Sequence, residues 1–345
     1  MHKYTKQNGE VIMETNENLK SEEIQKIQEA AKLIQECRLE AKKRIIGQDY
    51  IIDGIITAFI TGGHILLEGV PGLAKTLAVR TFAEIAGLDF KRIQFTPDLL
   101  PADVSGTLIY EQQTGKFTAR KGPVFTNILL ADEINRAPAK VQSALLEAMA
   151  EKQVTIGDET YSLPDDFLVM ATQNPIEQEG TYNLPEAELD RFLLKVLVSY
   201  PSAQEEIQIV KTAGLASEIP VKAVLSKAKI KQLKSALELI SCDDKIIEYI
   251  VNIVSVTRAG NSRTKKTDIS KYISYGASPR SGIAMLQCAK VQALFAGRSF
   301  VLPEDVKNVS PAVLRHRLVL SYEAAADGIT PDDIISKILS LVPLP

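Results

Sequence analysis

Five short apolar runs, at 65–67, 92–95, 128–131, 167–171 and 193–198, divide the first 200 residues of this 345-residue chain. Most residues in each run are apolar at odd and even positions alike. That is the pattern of a parallel strand covered on both faces, not the alternation of a half-solvated one. Segments of helical periodicity, such as Lys75–Ala86 and Ala139–Glu151, fall between them. Parallel strands need long crossovers, and helices supply them while covering the sheet. The spacing therefore predicts an α/β sandwich around a parallel sheet, with a ligand site at the carboxyl ends of the strands.

Two inserts look like hairpins, 107–118 around Thr114-Gly115 and 154–163 around Gly157-Asp158. After Tyr200-Pro201 the strand pattern stops. Pro279, Pro303 and Pro331 then stand where helices would start, the first and last behind the hydroxyl caps Ser278 and Thr330. A chain of this length exceeds what one hydrophobic core usually supports. The expected division is a polar tail without order (1–20), an α/β core (21–205), a linker (206–220) and an all-helical domain (221–345). The core opens with an amphipathic helix at 21–44, its apolar positions including Ile24, Ile27, Ala31 and Ile34.

Composition narrows the functional classes. A net charge of −3 lacks the basic surplus of a dedicated nucleic-acid binder. Cys37, Cys242 and Cys288 are far apart, as are His2, His64 and His316, so neither a disulfide framework nor a metal cluster is expected. The uncharged stretch 54–67 is short and broken by Gly62-Gly63, which suits a buried helix entering a strand. A soluble cytoplasmic protein with no transmembrane segment and no signal peptide is expected.

The chemistry centres on Gly69-Val-Pro71-Gly72-Leu73-Ala74-Lys75-Thr76, which follows the first apolar run and opens a helix that continues with Leu77. A turn there can aim backbone N–H groups and the positive end of a helix dipole at phosphate oxygens. Lys75 would reach the β- and γ-phosphates of ATP, and the Thr76 hydroxyl would hold Mg²⁺. Ala74 stands where glycine is usual. The third run ends in Asp132-Glu133. Asp132 would join the Mg²⁺ shell and Glu133 would activate a water for in-line attack.

These segments resemble those of MoxR-type AAA+ ATPases. The likeness is carried by the phosphate-loop sequence, by Arg92-Ile-Gln-Phe-Thr-Pro-Asp-Leu-Leu-Pro101 and by Ala131-Asp-Glu-Ile-Asn-Arg-Ala137. Ala171-Thr-Gln-Asn-Pro175, Leu184-Pro-Glu-Ala-Glu-Leu-Asp-Arg-Phe192 and Gly276-Ala-Ser-Pro-Arg280 complete it, from about Gln48 to the C-terminus. The resemblance implies a P-loop core followed by a helical lid. It makes Asn174 a sensor that places the attacking water, against the alternative of a turn asparagine before Pro175. Arg191 becomes an arginine finger acting on a neighbouring subunit, against the alternative of a surface ion pair and with Arg136 as a competitor. Arg280 becomes the lid's sensor arginine, and Gly47-Gln48 part of the segment that packs on adenine.

The resemblance further implies a homo-oligomeric ring, expected to be a hexamer. Its ATP turnover would drive chaperone-like remodelling of a protein client, often one with a von Willebrand factor A domain. A nucleic-acid translocase and a magnesium-chelatase-type subunit share much of this core and stand as alternatives. No nucleic-acid partner is expected, because the 154–163 hairpin carries Asp158 and Glu159 and only the flanking Lys152. Lys222, Lys227, Lys229, Lys231 and Lys234 read as the solvated face of a helix. Arg258, Arg263, Lys265 and Lys266 form a basic segment without interleaved aromatics.

Overall fold

Residues 5–175, 180–212, 215–258 and 268–345 are described by a computed structural model, with side chains from Ser21 onward except at 217 and 268. Strands β1 (Ile65–Glu68), β2 (Phe90–Gln94), β5 (Ile128–Asp132), β8 (Leu168–Gln173) and β9 (Leu194–Leu197) form one parallel sheet in the order β2-β5-β8-β1-β9. Hairpins β3 (Gly106–Glu111)–β4 (Lys116–Lys121) and β6 (Gln153–Ile156)–β7 (Glu159–Ser162) stand apart from it. All five apolar runs are strands of the sheet, and both inserts are hairpins.

The two parities of the three central strands feed two cores. Ile65, Leu67, Ile128 and Leu130 face the side of helices α1 (Thr5–Lys42), α2 (Asp49–Thr61) and α3 (Lys75–Ala86). Leu66, Leu129, Ala131 and Val169 face the side of α4 (Pro101–Ser105) and α5 (Ala139–Glu151). All eight are fully buried. At roughly 1.5–3 kcal/mol for each large aliphatic side chain, this double-sided burial is the main favourable term for the sheet. β2 is an edge strand with Lys91 and Arg92 exposed. Its first residues therefore carry little apolar signal, and it begins at Phe90, not at 92.

The short α6 (Glu186–Leu189) precedes β9, and α7 (Ala203–Lys211) follows it. The segment expected to be a linker thus holds much of a helix. Ser202 and Glu205 close a reciprocal capping box at its start, which compensates for a helix that buries no side chain.

The C-terminal unit contains α8 (Lys227–Glu238), α9 (Asp244–Val256), α10 (Pro279–Phe295), α11 (Pro303–Leu314), α12 (Tyr322–Ala326) and α13 (Pro331–Leu341). Pro279, Pro303 and Pro331 each occupy a first helical turn, where the missing N–H costs nothing. The unit is not wholly helical. β10 (Ile273–Tyr275) and β11 (Val319–Leu320) form an antiparallel ribbon too short to leave a periodic signal in sequence.

The helix expected at 21–44 is the greater part of α1, which begins at Thr5. Residues 5–20, expected to lack order, continue it; they contain no proline, and a helix already nucleated extends cheaply. Residues 1–4 lie outside the described residues. Ile27, Ala30, Ile34, Cys37 and Ala41 form the buried stripe of α1, whereas Ile24 is exposed. The helix packs on α2 and α3 and also on α8 and α10, so one hydrophobic cluster runs from the sheet into the C-terminal unit. Lys222, Lys227, Lys229 and Lys231 are exposed, but Lys234 is half-buried and binds Asp166 at 2.5 Å. Of the basic segment only Arg258 is described, and its Nε donates to the Ala277 carbonyl. Among the described residues no helix is long and apolar enough to cross a membrane.

Candidate active site

The parallel register brings the carboxyl ends of β1, β8 and β5 together, so Gly69, Gln173-Asn174 and Asp132-Glu133 emerge side by side. The Gly69 N–H donates to the Gln173 carbonyl at 3.1 Å. A Cβ at Gly69 would lie 2.6 Å from the Val198 carbonyl oxygen, so only glycine lets the chain turn away from β1 there. From that point the loop runs to the N-terminus of α3 and encloses a cavity of about 400 Å³. Its lining includes Pro71, Gly72, Leu73, Ala74, Lys75, Thr76 and Leu77 from the loop, with Asp132, Glu133, Thr172 and Asn174 opposite.

Ala74 is the N-cap of α3 and has φ 54°. Glycine is usual at this position because the backbone is left-handed. The cost of a methyl group here lies in the backbone dihedral. Lys75 bends back to donate to the Gly69 carbonyl. Partial burial lowers its pKa, while Asp132, Glu133 and Glu68 pull it upward.

Both carboxylates have partners. Asp132 Oδ1 accepts from the Thr172 hydroxyl at 2.6 Å, and its Oδ2 accepts from Arg92 Nε and Nη2 at 3.0 and 2.7 Å. Glu133 Oε2 accepts from Gln94 Nε2 at 2.8 Å and from Arg136 Nη1 at 3.0 Å. Thr172 also accepts the Glu133 N–H at 2.9 Å, locking the two acidic residues in relative orientation. Arg92, Gln94 and Thr172 had been given no role from sequence. A signal was present: Arg92 and Gln94 share one parity of β2, and the register sets Gln94 beside Asp132.

Beside the loop lies a more apolar recess of about 170 Å³. It is lined by Arg44, Ile45, Ile46, Gln48, Leu73, Leu77, Pro201 and Ile209, among others. Gln48 therefore reaches it, its Nε2 donating to the Ser199 carbonyl. Gly47 does not line it and instead lies against the Glu205 carboxylate. Four non-glycine residues among those described have positive φ, and Gln48, Ala74 and Glu133 are three of them. Backbone strain of this kind concentrates where the surrounding fold over-determines a functional geometry.

Arg191 and Arg280 do not line the phosphate-loop cavity of their own chain. Arg191 is exposed and donates to the Leu146 carbonyl at 2.6 Å, while Arg280 is exposed at the start of α10. Arg136 is the arginine that this chain does bring to Glu133.

The family model of the "ATPase family associated with various cellular activities (AAA)" matches residues 64–194, and that of the AAA lid domain matches 265–338. The chain is 48% identical to Chaperone MoxR1 of Mycobacterium tuberculosis, over 89% of this chain and 81% of that protein. The chain belongs to the MoxR-type AAA ATPases. It is also 32% identical to Protein MoxR of Methylorubrum extorquens over 89% of this chain and 93% of that one. The crystal structure of a putative ATPase from Cytophaga hutchinsonii superposes with a TM-score of 0.87 at 47% identity, covering 95% of this chain and 99% of that one.

This MoxR-type chain binds and hydrolyses ATP. The loop presents the N-terminus of α3 to the cavity and the adjoining recess is more apolar, features that suit phosphates and a base respectively. The Thr76 hydroxyl and the Asp132 carboxylate face one cavity and offer oxygen donors only. That donor set fits a hard divalent cation that keeps most of its waters, such as Mg²⁺.

Proposed function

We propose that this chain is a Mg²⁺-dependent ATPase whose hydrolytic site is completed by a neighbouring subunit in a ring, and that its turnover remodels a protein client. The observation that carries this reading is the lining of the phosphate cavity. It holds a lysine, a carboxylate pair and an amide from this chain, while Arg191 and Arg280 lie elsewhere on the surface.

In this reading Gly69, Pro71, Gly72, Leu73, Ala74, Lys75, Thr76 and Leu77 cradle the phosphates, and Lys75 leaves the Gly69 carbonyl for the β- and γ-oxygens. Thr76 and Asp132 hold Mg²⁺, which when bound neutralises developing charge on the phosphates. Glu133 takes the proton of the attacking water, and Asn174 orients that water as a neutral hydrogen-bonding amide. Gln48 packs on the base, and Gly47 lets the chain turn into that contact. Arg191 stabilises charge at the site of the next subunit, and Arg280, the sensor arginine of the C-terminal unit, couples nucleotide state to the angle between the two units. Arginine fingers contribute about 10³–10⁵ in rate. A closed ring makes each interface heterologous, so one chain gives its pocket to one neighbour and its Arg191 to the other. Six subunits are the proposed number.

A protein client is favoured by the chaperone name of the similar M. tuberculosis protein and by the exposed acidic pair Asp158-Glu159 at the β6–β7 tip. The family resemblance points to a partner with a von Willebrand factor A domain. The β3–β4 hairpin exposes Tyr110 and Phe117 beside Lys116 and Arg120, which makes nucleic acid the necessary control. ATPase rate is measured at moderate salt with a candidate von Willebrand factor A partner, single-stranded DNA, duplex DNA and RNA, each added separately. Stimulation by the protein alone is expected. Strong stimulation by a nucleic acid that fades as salt rises would replace this reading with the translocase one.

A further inference from the structure

Three consecutive residues after α11 seat the C-terminal unit on the ATPase core, and none has a role in the site described above. Arg315 Nη1 donates to the Lys195 carbonyl at 2.7 Å, and His316 Nε2 lies 3.0 Å from the Phe192 carbonyl oxygen. Arg317 is the centre of the cluster. Its side chain is 4% exposed. Nε donates to Asp190 Oδ1 at 2.7 Å, Nη1 to the carbonyls of Val313 and Leu193 at 2.5 and 3.1 Å, and Nη2 to those of Phe192 and Asp190 at 2.7 and 3.4 Å. The second Asp190 oxygen accepts from the Ser278 hydroxyl, two residues before Arg280, at 3.1 Å.

What this cluster holds is the segment that carries Arg191. Asp190 caps α6, a four-residue helix with no buried side chain. Its apolar anchors are the half-buried Leu189 and, just beyond it, the fully buried Phe192, and a helix this short owes its order to such packing. The polar anchors on either side of Arg191 are the Asp190 carboxylate and the Phe192 carbonyl, and one guanidinium binds both. A buried ion pair is a weak source of stability, since desolvating two charges costs about as much as their attraction returns. Its more dependable effect is to define one geometry, and the planar guanidinium fork does so with five directed donors.

We propose that Arg317 is a positioning residue for Arg191: by clamping Asp190 and the Phe192 carbonyl, it makes the aim of Arg191 at the neighbouring active site depend on the C-terminal unit being seated. This rests on the reading of Arg191 as the arginine supplied in trans. Arg317 lies outside the phosphate cavity of its own chain. Its loss leaves that pocket intact and damages the site of the next subunit. A 1 Å misplacement costs roughly 10² in rate, and a drop of that order in kcat with unchanged nucleotide affinity is the expected effect of Arg317→Met. Arg317→Lys keeps the charge without the fork and recovers only part of the rate.

The test uses full-length chains mixed in pairs before assembly. Arg191→Ala with Glu133→Gln comes first: recovery above the sum of the separate rates establishes the trans contact, and no recovery rejects that contact and this proposal together. Given recovery, Arg317→Met with Glu133→Gln must also recover, toward about a quarter of interfaces in a random closed ring. Arg317→Met with Arg191→Ala must not, because both lesions lie on the arginine side. If Arg317→Met keeps parental turnover, or is rescued by Arg191→Ala and not by Glu133→Gln, the clamp is structural only and the proposal fails while the trans contact stands. Should thermal melting show Arg317→Met unfolded, Asp190→Asn carries the same pairings, since it removes the ion pair and leaves Arg317 its carbonyl bonds.

Discussion

Acid should unfold this chain through its buried histidines well before its carboxylates matter. His64 lies at the start of β1, 5% exposed, with Nδ1 accepting the Val169 N–H at 3.0 Å and Nε2 lying 3.3 Å from the Met149 carbonyl. Because Nδ1 must accept, the ring is the neutral Nε2–H tautomer, and burial lowers its pKa from 6.5 to about 4. The folded state therefore resists a proton that the unfolded chain accepts. The stability of the neutral ring is complete above pH 6.5 and falls as pH drops toward 4. At about 1.4 kcal/mol per pKa unit, His64 costs roughly 1.3 kcal/mol between pH 7.5 and 5.5, and about 3 kcal/mol once fully titrated. His316, buried beside Arg317 and also depressed, adds a loss of the same sign. With no tryptophan in the chain, urea unfolding is followed by far-ultraviolet circular dichroism at each pH. His64→Gln can accept from Val169 and donate to Met149, so it should remove about 1.3 kcal/mol of the change over this interval. Stability that is flat from pH 7.5 to 5.5, or a His64→Gln slope equal to the parent's, would refute the reasoning.

Other outcomes follow from the same geometry. Ala74→Gly relieves a left-handed alanine and should raise stability by up to about 1 kcal/mol with nucleotide binding kept; a lower melting temperature would show that the methyl group packs usefully. Lys75→Ala should abolish measurable nucleotide binding, as read by fluorescence of a labelled nucleotide, whereas tight binding by the variant would remove Lys75 from the phosphate contact. ATPase rate per subunit should climb with protein concentration, because an isolated chain lacks the arginine from its neighbour; turnover independent of concentration would contradict the shared site.

The sheet was legible because burial on two faces forces both parities to be apolar, as at Leu66 and Leu67. The phosphate loop was legible from its residue pattern between a buried strand and a helix, and the Asp132-Glu133 pair because it ends a buried strand downstream of that loop. What failed to show were features that depend on partners distant in sequence. Arg317 looks like a solvated helix end until Asp190 is placed beside it, 127 positions away. Arg92 likewise looks like an exposed edge-strand cation until its guanidinium is placed on the Asp132 carboxylate of the neighbouring strand. The helical extension before residue 21 and the ribbon β10–β11 were missed because neither has an apolar period to detect.

The claim on which the rest depends is that Glu133 drives cleavage of ATP bound at this loop. The most direct measurement compares ATP binding and single-turnover cleavage for the parent and for Glu133→Gln, which keeps the shape and one acceptor oxygen but removes the charge and the basic carboxylate. The account predicts unchanged ATP affinity and a cleavage rate lower by roughly 10²–10⁴. Cleavage by Glu133→Gln at close to the parental rate would mean that another group activates the water, and would contradict the account.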